Sequence, residues 1–190
     1  MSGKDSKRRI ARLRGKIDQA RVGLRSAISA SRPQIVQDYV LATPKGETRL
    51  SQLFGEKRDL IVIHNMGTGC AYCTMWADGY NGLYPHLSDR AAFVVTSPDP
   101  PKRQAQFAKS RGWRFPMASH AGSSFAADMG FLGDSGRCLP GISSFRKQGR
   151  QIQRIAAVNS GPGDDFCAVW HFFDMLKGGA AGWTPKFRYG

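Results

Sequence analysis

Between Arg8 and Ile28 the apolar side chains fall at Ile10, Leu13, Ile17, Ala20, Leu24 and Ala27/Ile28, in alternating steps of three and four. That spacing lays one apolar stripe along a helix, with Arg and Lys on the remaining faces. Pro33 ends it, because proline cannot continue a helix and biases the residue before it away from helical angles. Further along the pattern changes. Leu60-Ile-Val-Ile63, ending in His64, and Ala91-Ala-Phe-Val-Val95 are short continuous apolar runs, which predict strands buried on both faces. Between them, Cys70 to about His86 predicts an irregular helix, weakened in its middle by Gly79 and Gly82.

The rest of the chain is punctuated by turn residues. Asp38-Tyr-Val-Leu-Ala42 precedes a turn at Pro44-Lys-Gly46 and a short helical turn over Leu50–Phe54. Pro101, well suited to a first helical turn, opens a helix reaching Arg111. Phe115–Ser119 reads as a short strand and Ser124–Met129 as a short helix. Leu139–Phe145 and Gln151–Val158 read as two strands joined through Lys147-Gln-Gly149, and the short connection predicts antiparallel pairing. A last helix is expected from about Asp164 to Leu176, opened by two acidic residues and stopped by Gly178-Gly179. Strand, helix, strand, helix, two late strands and a helix make an α/β architecture.

Composition adds an asymmetry. Residues 1–32 hold ten Lys/Arg against Asp5 and Asp18, giving +8; the other 158 residues hold eighteen basic against twelve acidic, giving +6 of the total +14. We therefore expect a basic helical arm over residues 1–33 and one domain over 34–190. Two roles suit the arm. Its stripe can dock on the body or pair with a second copy in a homo-oligomer, or its basic face can meet an anionic surface. Nucleic acid is disfavoured because the arm lacks the interleaved aromatics that base stacking uses. No apolar run approaches the roughly 20 residues of a membrane span, and the basic N-terminus lacks a secretory apolar stretch. The expected address is the cytoplasm.

Four cysteines stand at 70, 73, 138 and 167. In a reducing compartment a close pair is catalytic or metal-binding more often than a structural bridge. Cys70-Ala-Tyr-Cys73 follows a predicted strand and opens a predicted helix, so residues three apart lie on one side, one turn along. The first sulfur then meets unpaired backbone N–H groups and the helix dipole, which favour a thiolate. Cys70 is the candidate nucleophile and Cys73 the resolving thiol, acting through a mixed disulfide. No organic cofactor is needed for this chemistry. The alternative is zinc on Cys70 and Cys73, with further ligands drawn from Cys138, Cys167 or the four histidines; no second C-x-x-C or H-x-x-x-H is present. Cys138 offers either a second disulfide partner or a small core residue, and Cys167 reads as core within the last helix.

Two more positions resemble thioredoxin-like proteins, which place a cis-proline before a strand facing the Cys pair. Leu139-Pro140 precedes Ile142–Phe145, and cis peptides are essentially confined to X–Pro, so Pro140 is the candidate; the other reading is an ordinary trans proline opening a strand. His64 stands six residues before Cys70, where thioredoxins carry a buried acid that assists the inner Cys. Histidine titrates near neutrality and can do that work, or it can be a strand-end residue satisfied by hydrogen bonds. Asp78 can orient the pair or bond nearby backbone, and local bonding is the expectation. The Pro-x-x-x-Thr-x-x-Cys loop of peroxiredoxins is missing: Thr68 lies two residues before Cys70, and no proline precedes it in the loop.

From about Asp38 to Arg188 the chain resembles an uncharacterised family described as predicted dithiol-disulfide oxidoreductases. The segments that carry the resemblance include Leu60-Ile-Val-Ile-His-Asn-Met66, Cys70-Ala-Tyr-Cys-Thr-Met-Trp-Ala-Asp-Gly-Tyr-Asn-Gly82, Leu139-Pro-Gly-Ile-Ser-Ser-Phe145 and Trp183-Thr-Pro185. The resemblance implies a thioredoxin-like central mixed sheet flanked by helices, and redox work at Cys70 and Cys73 on a protein or small-molecule disulfide. Gly69 and Ala71-Tyr72 depart from true thioredoxins, which carry Trp before the first Cys and Gly-Pro between the pair. Tyr72 is similar to the aromatic of glutaredoxins, without a case for glutathione binding.

Overall fold

The computed structural model describes residues 3–190. The chain divides into two compact units, one ending at Pro33 and the other spanning Gln34–Gly190. The first is a single helix, α1 (Gly3–Ala30). It closes where the hydroxyl of Ser31 donates to the Ile28 carbonyl at 2.8 Å.

The second unit is built on one eight-stranded sheet: β1 (Gln34–Val36), β2 (Val40–Thr43), β3 (Gly46–Arg49), β4 (Asp59–His64), β5 (Ala92–Ser97), β6 (Met117–Ser119), β7 (Gly141–Gln148) and β8 (Gln151–Asn159). Their order across the sheet is β1-β8-β7-β4-β5-β6-β2-β3. β4, β5 and β6 run parallel, linked by α2 (Ala71–Arg90) and α3 (Pro101–Arg111). β7 lies antiparallel to β4, with Gly141 opposite His64, and pairs with β8 in a hairpin. α4 (Phe125–Asp128), α5 (Ala168–Phe173) and a 3-10 turn at Leu50–Gln52 complete the unit.

The two apolar runs are central strands because the sheet has a core on each face. Leu60, Val62 and Val94 meet Phe54, Phe125 and Phe145 on one side. Ile63, Phe93 and Val95 meet Trp76, Tyr80 and Trp170 on the other. Alternate residues of one strand thus serve opposite cores, which removes the polar alternation of a half-exposed strand. Gly112 closes α3 in the left-handed conformation, φ 68°, that glycine adopts without a Cβ penalty.

Three expectations need correction. β1 and β3 are strands that the apolar pattern does not announce: each is only three or four residues long, and β3 is held by its hairpin with β2. The last helix is far shorter than Asp164–Leu176 and starts after Cys167, because the Asp164 carboxylate turns back to accept the N–H groups of Gly161 and Phe166 at 3.0 and 2.9 Å. Cys167 is buried just before the helix, at its N-cap. Finally, the Leu139–Pro140 peptide is trans. The segment runs extended between two neighbours: Leu139 N–H donates to the Phe131 carbonyl at 2.8 Å, and the Pro140 carbonyl accepts Ser160 N–H at 2.9 Å.

Candidate active site

The loop between β4 and α2 is fastened before it reaches the cysteines. Asn65, itself buried, accepts the Gly67 N–H at 2.7 Å on its side-chain oxygen. Asp99, from the rigid Pro98-Asp-Pro-Pro101 turn, accepts the Thr68 N–H at 2.7 Å. Gly67 adopts φ 106°, and a Cβ there would come 2.8 Å from the Asp99 carboxylate, so both the backbone angle and the space require glycine.

Cys70 then caps α2. Its Sγ accepts the backbone N–H of Cys73 at 3.1 Å, in the position usually held by a Ser or Asp oxygen. Cys70 is half-buried and Cys73 is buried one turn deeper; both are free thiols. The Cys70 pKa is lowered to about 6, chiefly by a hydrogen bond from the Cys73 thiol, with help from the N–H groups of Cys73 and Tyr72, and against the opposing effect of burial. The Cys73 pKa is raised, because its proton is held by Cys70 and because burial disfavours a second thiolate. One sulfur is therefore a poised anion and its neighbour a retained acid.

Both cysteines, His64 and Pro140 line one cavity of about 280 Å³. His64 is buried at the end of β4, where its ring stacks on Phe131 with centroids 3.8 Å apart and on Phe125 at 5.5 Å. Its Nε2 bonds the Ser143 hydroxyl at 2.9 Å, while Nδ1 has no partner among the described residues. Burial first, and then the charges of His120 and Arg154, bring its pKa down to about 3, so the ring is neutral near pH 7. Cys138 does not line this cavity; it forms an isolated bridge with Leu132. Among the described residues no three His, Cys, Asp or Glu side chains converge as a metal-binding set. Asp78 does not bond nearby backbone as expected: it pairs with Arg111 and accepts the Trp113 indole N–H at 2.8 Å, which pins α2 to the end of α3.

Asp164 is the site residue that sequence reasoning placed in another role. Besides closing its own loop it accepts the Trp76 indole N–H at 3.0 Å, and so ties the Ser160-Gly161-Pro162 wall of the cavity to α2. Asp99 likewise holds the site loop, through the Thr68 N–H, with no role assigned to it from the sequence. The signal for both was the surrounding Pro and Gly, which marks a loop without saying what its carboxylate will reach.

A mixed sheet with a Cys-capped helix after its central strand defines a thioredoxin-like protein. The chain belongs to the family described as "Bacterial protein of unknown function (DUF899)", which matches residues 10–184. No curated protein matches the chain. Among solved structures it is similar to peroxidoxin BcpB from Mycobacterium tuberculosis, with a TM-score of 0.57 and 26% identity over 72% of this chain and 88% of that one. A peroxiredoxin Q from Xanthomonas campestris gives 0.54 and 18% over 63% and 78%. Reduced Prx3 from Vibrio vulnificus, in complex with hydrogen peroxide, gives 0.57 and 12% over 70% and 90%. Among the described residues no helix is long and apolar enough to cross a membrane.

Proposed function

We propose that the protein is a thiol–disulfide oxidoreductase of thioredoxin-like type, in which Cys70 attacks and Cys73 resolves. The observation that carries this reading is the asymmetry of the pair: a half-buried Cys70 whose Sγ accepts the Cys73 backbone N–H at 3.1 Å at the mouth of α2, with its thiol pKa lowered, above a buried Cys73 whose thiol pKa is raised. The Cys70 thiolate attacks a substrate disulfide, R–S–S–R, forming Cys70–S–S–R and releasing one thiolate that takes up a proton. Cys73 then loses its proton and displaces the second thiolate, leaving a Cys70–Cys73 disulfide. The substrate gains two electrons from the pair; one of its two protons is matched by the proton that Cys73 gives up and the other comes from solvent, because Cys70 reacts as the thiolate. A cellular dithiol reductant, in the reducing compartment expected of the cytoplasm, restores the pair.

His64 is the group proposed to take up the Cys73 proton. Its Nδ1 has no hydrogen-bond partner among the described residues, and burial makes the ring a weak base, so it passes the proton on to solvent and does not hold it. Pro140 presents the start of β7 to the substrate: its peptide is trans, so the cis-proline argument for it falls, and its support is that it lines the same cavity as both cysteines. The test is dithiothreitol-linked insulin reduction: Cys70→Ser abolishes it, and Cys73→Ser accumulates mixed disulfides. Wild-type protein with neither reductase activity nor a reversible disulfide overturns the reading.

The likeness to the M. tuberculosis peroxidoxin favours one second reading. The same thiolate can attack a hydroperoxide, giving Cys70 sulfenic acid and an alcohol, after which the Cys73 thiol condenses with it to a disulfide and water. The loop departs from the peroxiredoxin pattern at Thr68, whose N–H is bonded to Asp99. Hydroperoxide consumption that outruns disulfide reduction, and that is lost in Cys70→Ser, selects this reading instead.

A further inference from the structure

The cavity beside Cys70 has a chemical character of its own. Its walls come from three separate parts of the domain: Met66 in the β4–α2 loop, Tyr72 and Trp76 on the first turns of α2, and Pro140 and Pro162 from the segments flanking the β7–β8 hairpin. Among the described residues no Lys, Arg, Asp or Glu lines it, and its histidine is neutral near pH 7. Its size of about 280 Å³ lies at the low end for small-molecule sites and is enough for a ring-sized group.

The wall is also fixed in place. The Trp76 indole is held by Asp164 at 3.0 Å, and Tyr72 stacks on Trp170 at a centroid distance of 6.2 Å and an interplanar angle of 14°. An apolar surface kept open in this way beside a nucleophile recognises by burial, without a charge to meet an anion.

We infer that the cavity selects small disulfides whose sulfur carries an uncharged, apolar, ring-sized substituent, and discriminates against anionic disulfides such as oxidised glutathione. This rests on the thiol–disulfide reading of Cys70 and deepens it. The substituent lies against Trp76, Met66 and Pro162 while its sulfur meets the Cys70 thiolate. Atoms and electrons balance as in the exchange given above, with dithiothreitol as the reductant in the assay.

The experiment uses the full chain and three disulfides: dibenzyl disulfide, bis(2-hydroxyethyl) disulfide and glutathione disulfide. Each second-order rate is divided by the rate of the same disulfide with a free thiolate, which cancels intrinsic reactivity. The expected result is a normalised preference of at least about tenfold for the benzyl compound, the scale on which an apolar pocket discriminates. Pro162→Asp, on an exposed loop, lowers that preference severalfold. Met66→Lys, a second partly exposed wall position, shifts it towards glutathione disulfide. As a redox-independent reading, dibenzyl sulfide, which has no S–S bond, quenches or shifts tryptophan fluorescence in the Cys70→Ser protein. If all three disulfides are reduced at normalised rates within about threefold, the selectivity is overturned while the oxidoreductase reading stands. If none is reduced, the oxidoreductase reading falls and takes the substrate assignment with it.

Discussion

The ring of Phe131 occupies the space where Gly141 would carry a side chain. A Cβ at Gly141 would overlap that ring and come 2.5 Å from the Val158 carbonyl. Gly141 pairs with His64 across β7 and β4, and the ring that needs its bare backbone is the one stacked on His64. The glycine of Leu139-Pro-Gly141 is thus required by packing beside the site. Gly141→Ala is expected to destabilise the fold by about 1–3 kcal/mol, the usual range for overpacking a filled core. Urea unfolding measures it, and an unchanged midpoint would show that Phe131 has room to move.

The polarised cysteine pair predicts a pH profile. Alkylation of Cys70 by iodoacetamide should be half-maximal near pH 6, since only the thiolate reacts. Cys73→Ala removes the largest cause of the lowered value, and the midpoint should rise. The same groups couple to stability. Cys70 is more acidic folded than unfolded, so its contribution is present above its unfolded pKa, about 9, and is lost as pH falls through about 6. Cys73 is shifted the other way: its contribution is present below about 9 and is lost as the unfolded thiol ionises above it. Stability from the pair should therefore rise with pH between about 6 and 9 and decline beyond. Unfolding midpoints across that range, wild type against the Cys70→Ser/Cys73→Ala double variant, check the sign.

Much of this was legible in the residues. The apolar runs at Leu60–Ile63 and Ala91–Val95 had the composition of strands covered on both faces, and α3 was readable from Pro101 to Arg111 because its ends carry proline and glycine. The Cys pair at the mouth of α2 followed from strand, loop and spacing. What was not legible depended on long-range contacts. Asp78 found Arg111 and Trp113, over thirty positions away, in place of local backbone. Asp164 found Trp76 across the hairpin, and the helix it was expected to open begins later. A carboxylate's partner is set by the fold, and no local period encodes it. The peptide before Pro140 likewise depended on the neighbours that hold it extended.

Asp164 carries three donors at once: the Trp76 indole N–H and the backbone N–H groups of Gly161 and Phe166. Trp76 is buried, so its N–H cannot exchange this partner for bulk water without movement. Asp164→Ala is expected to cost about 2 kcal/mol, as for a hydrogen bond to a charged group. Asp164→Asn, which keeps one carbonyl acceptor, should lose less. A change in tryptophan emission should accompany the loss, because the indole and the Ser160–Pro162 wall move together. Equal stability of all three proteins would show that the carboxylate is not the anchor.

Removal of the arm separates charge from chemistry. Every residue of the two cores, and every residue lining the cavity, lies beyond Pro33. A protein comprising 34–190 is therefore expected to unfold cooperatively and to keep the wild-type alkylation profile of Cys70. Its net charge falls from +14 to +6, since the ten basic and two acidic residues of 1–32 contribute +8. It should elute from a cation exchanger at clearly lower salt, with retention that depends less steeply on ionic strength. A truncated protein whose Cys70 midpoint climbs above about 7 would show that the arm reaches the thiolate, and that the organisation into a basic arm and an independent domain does not hold.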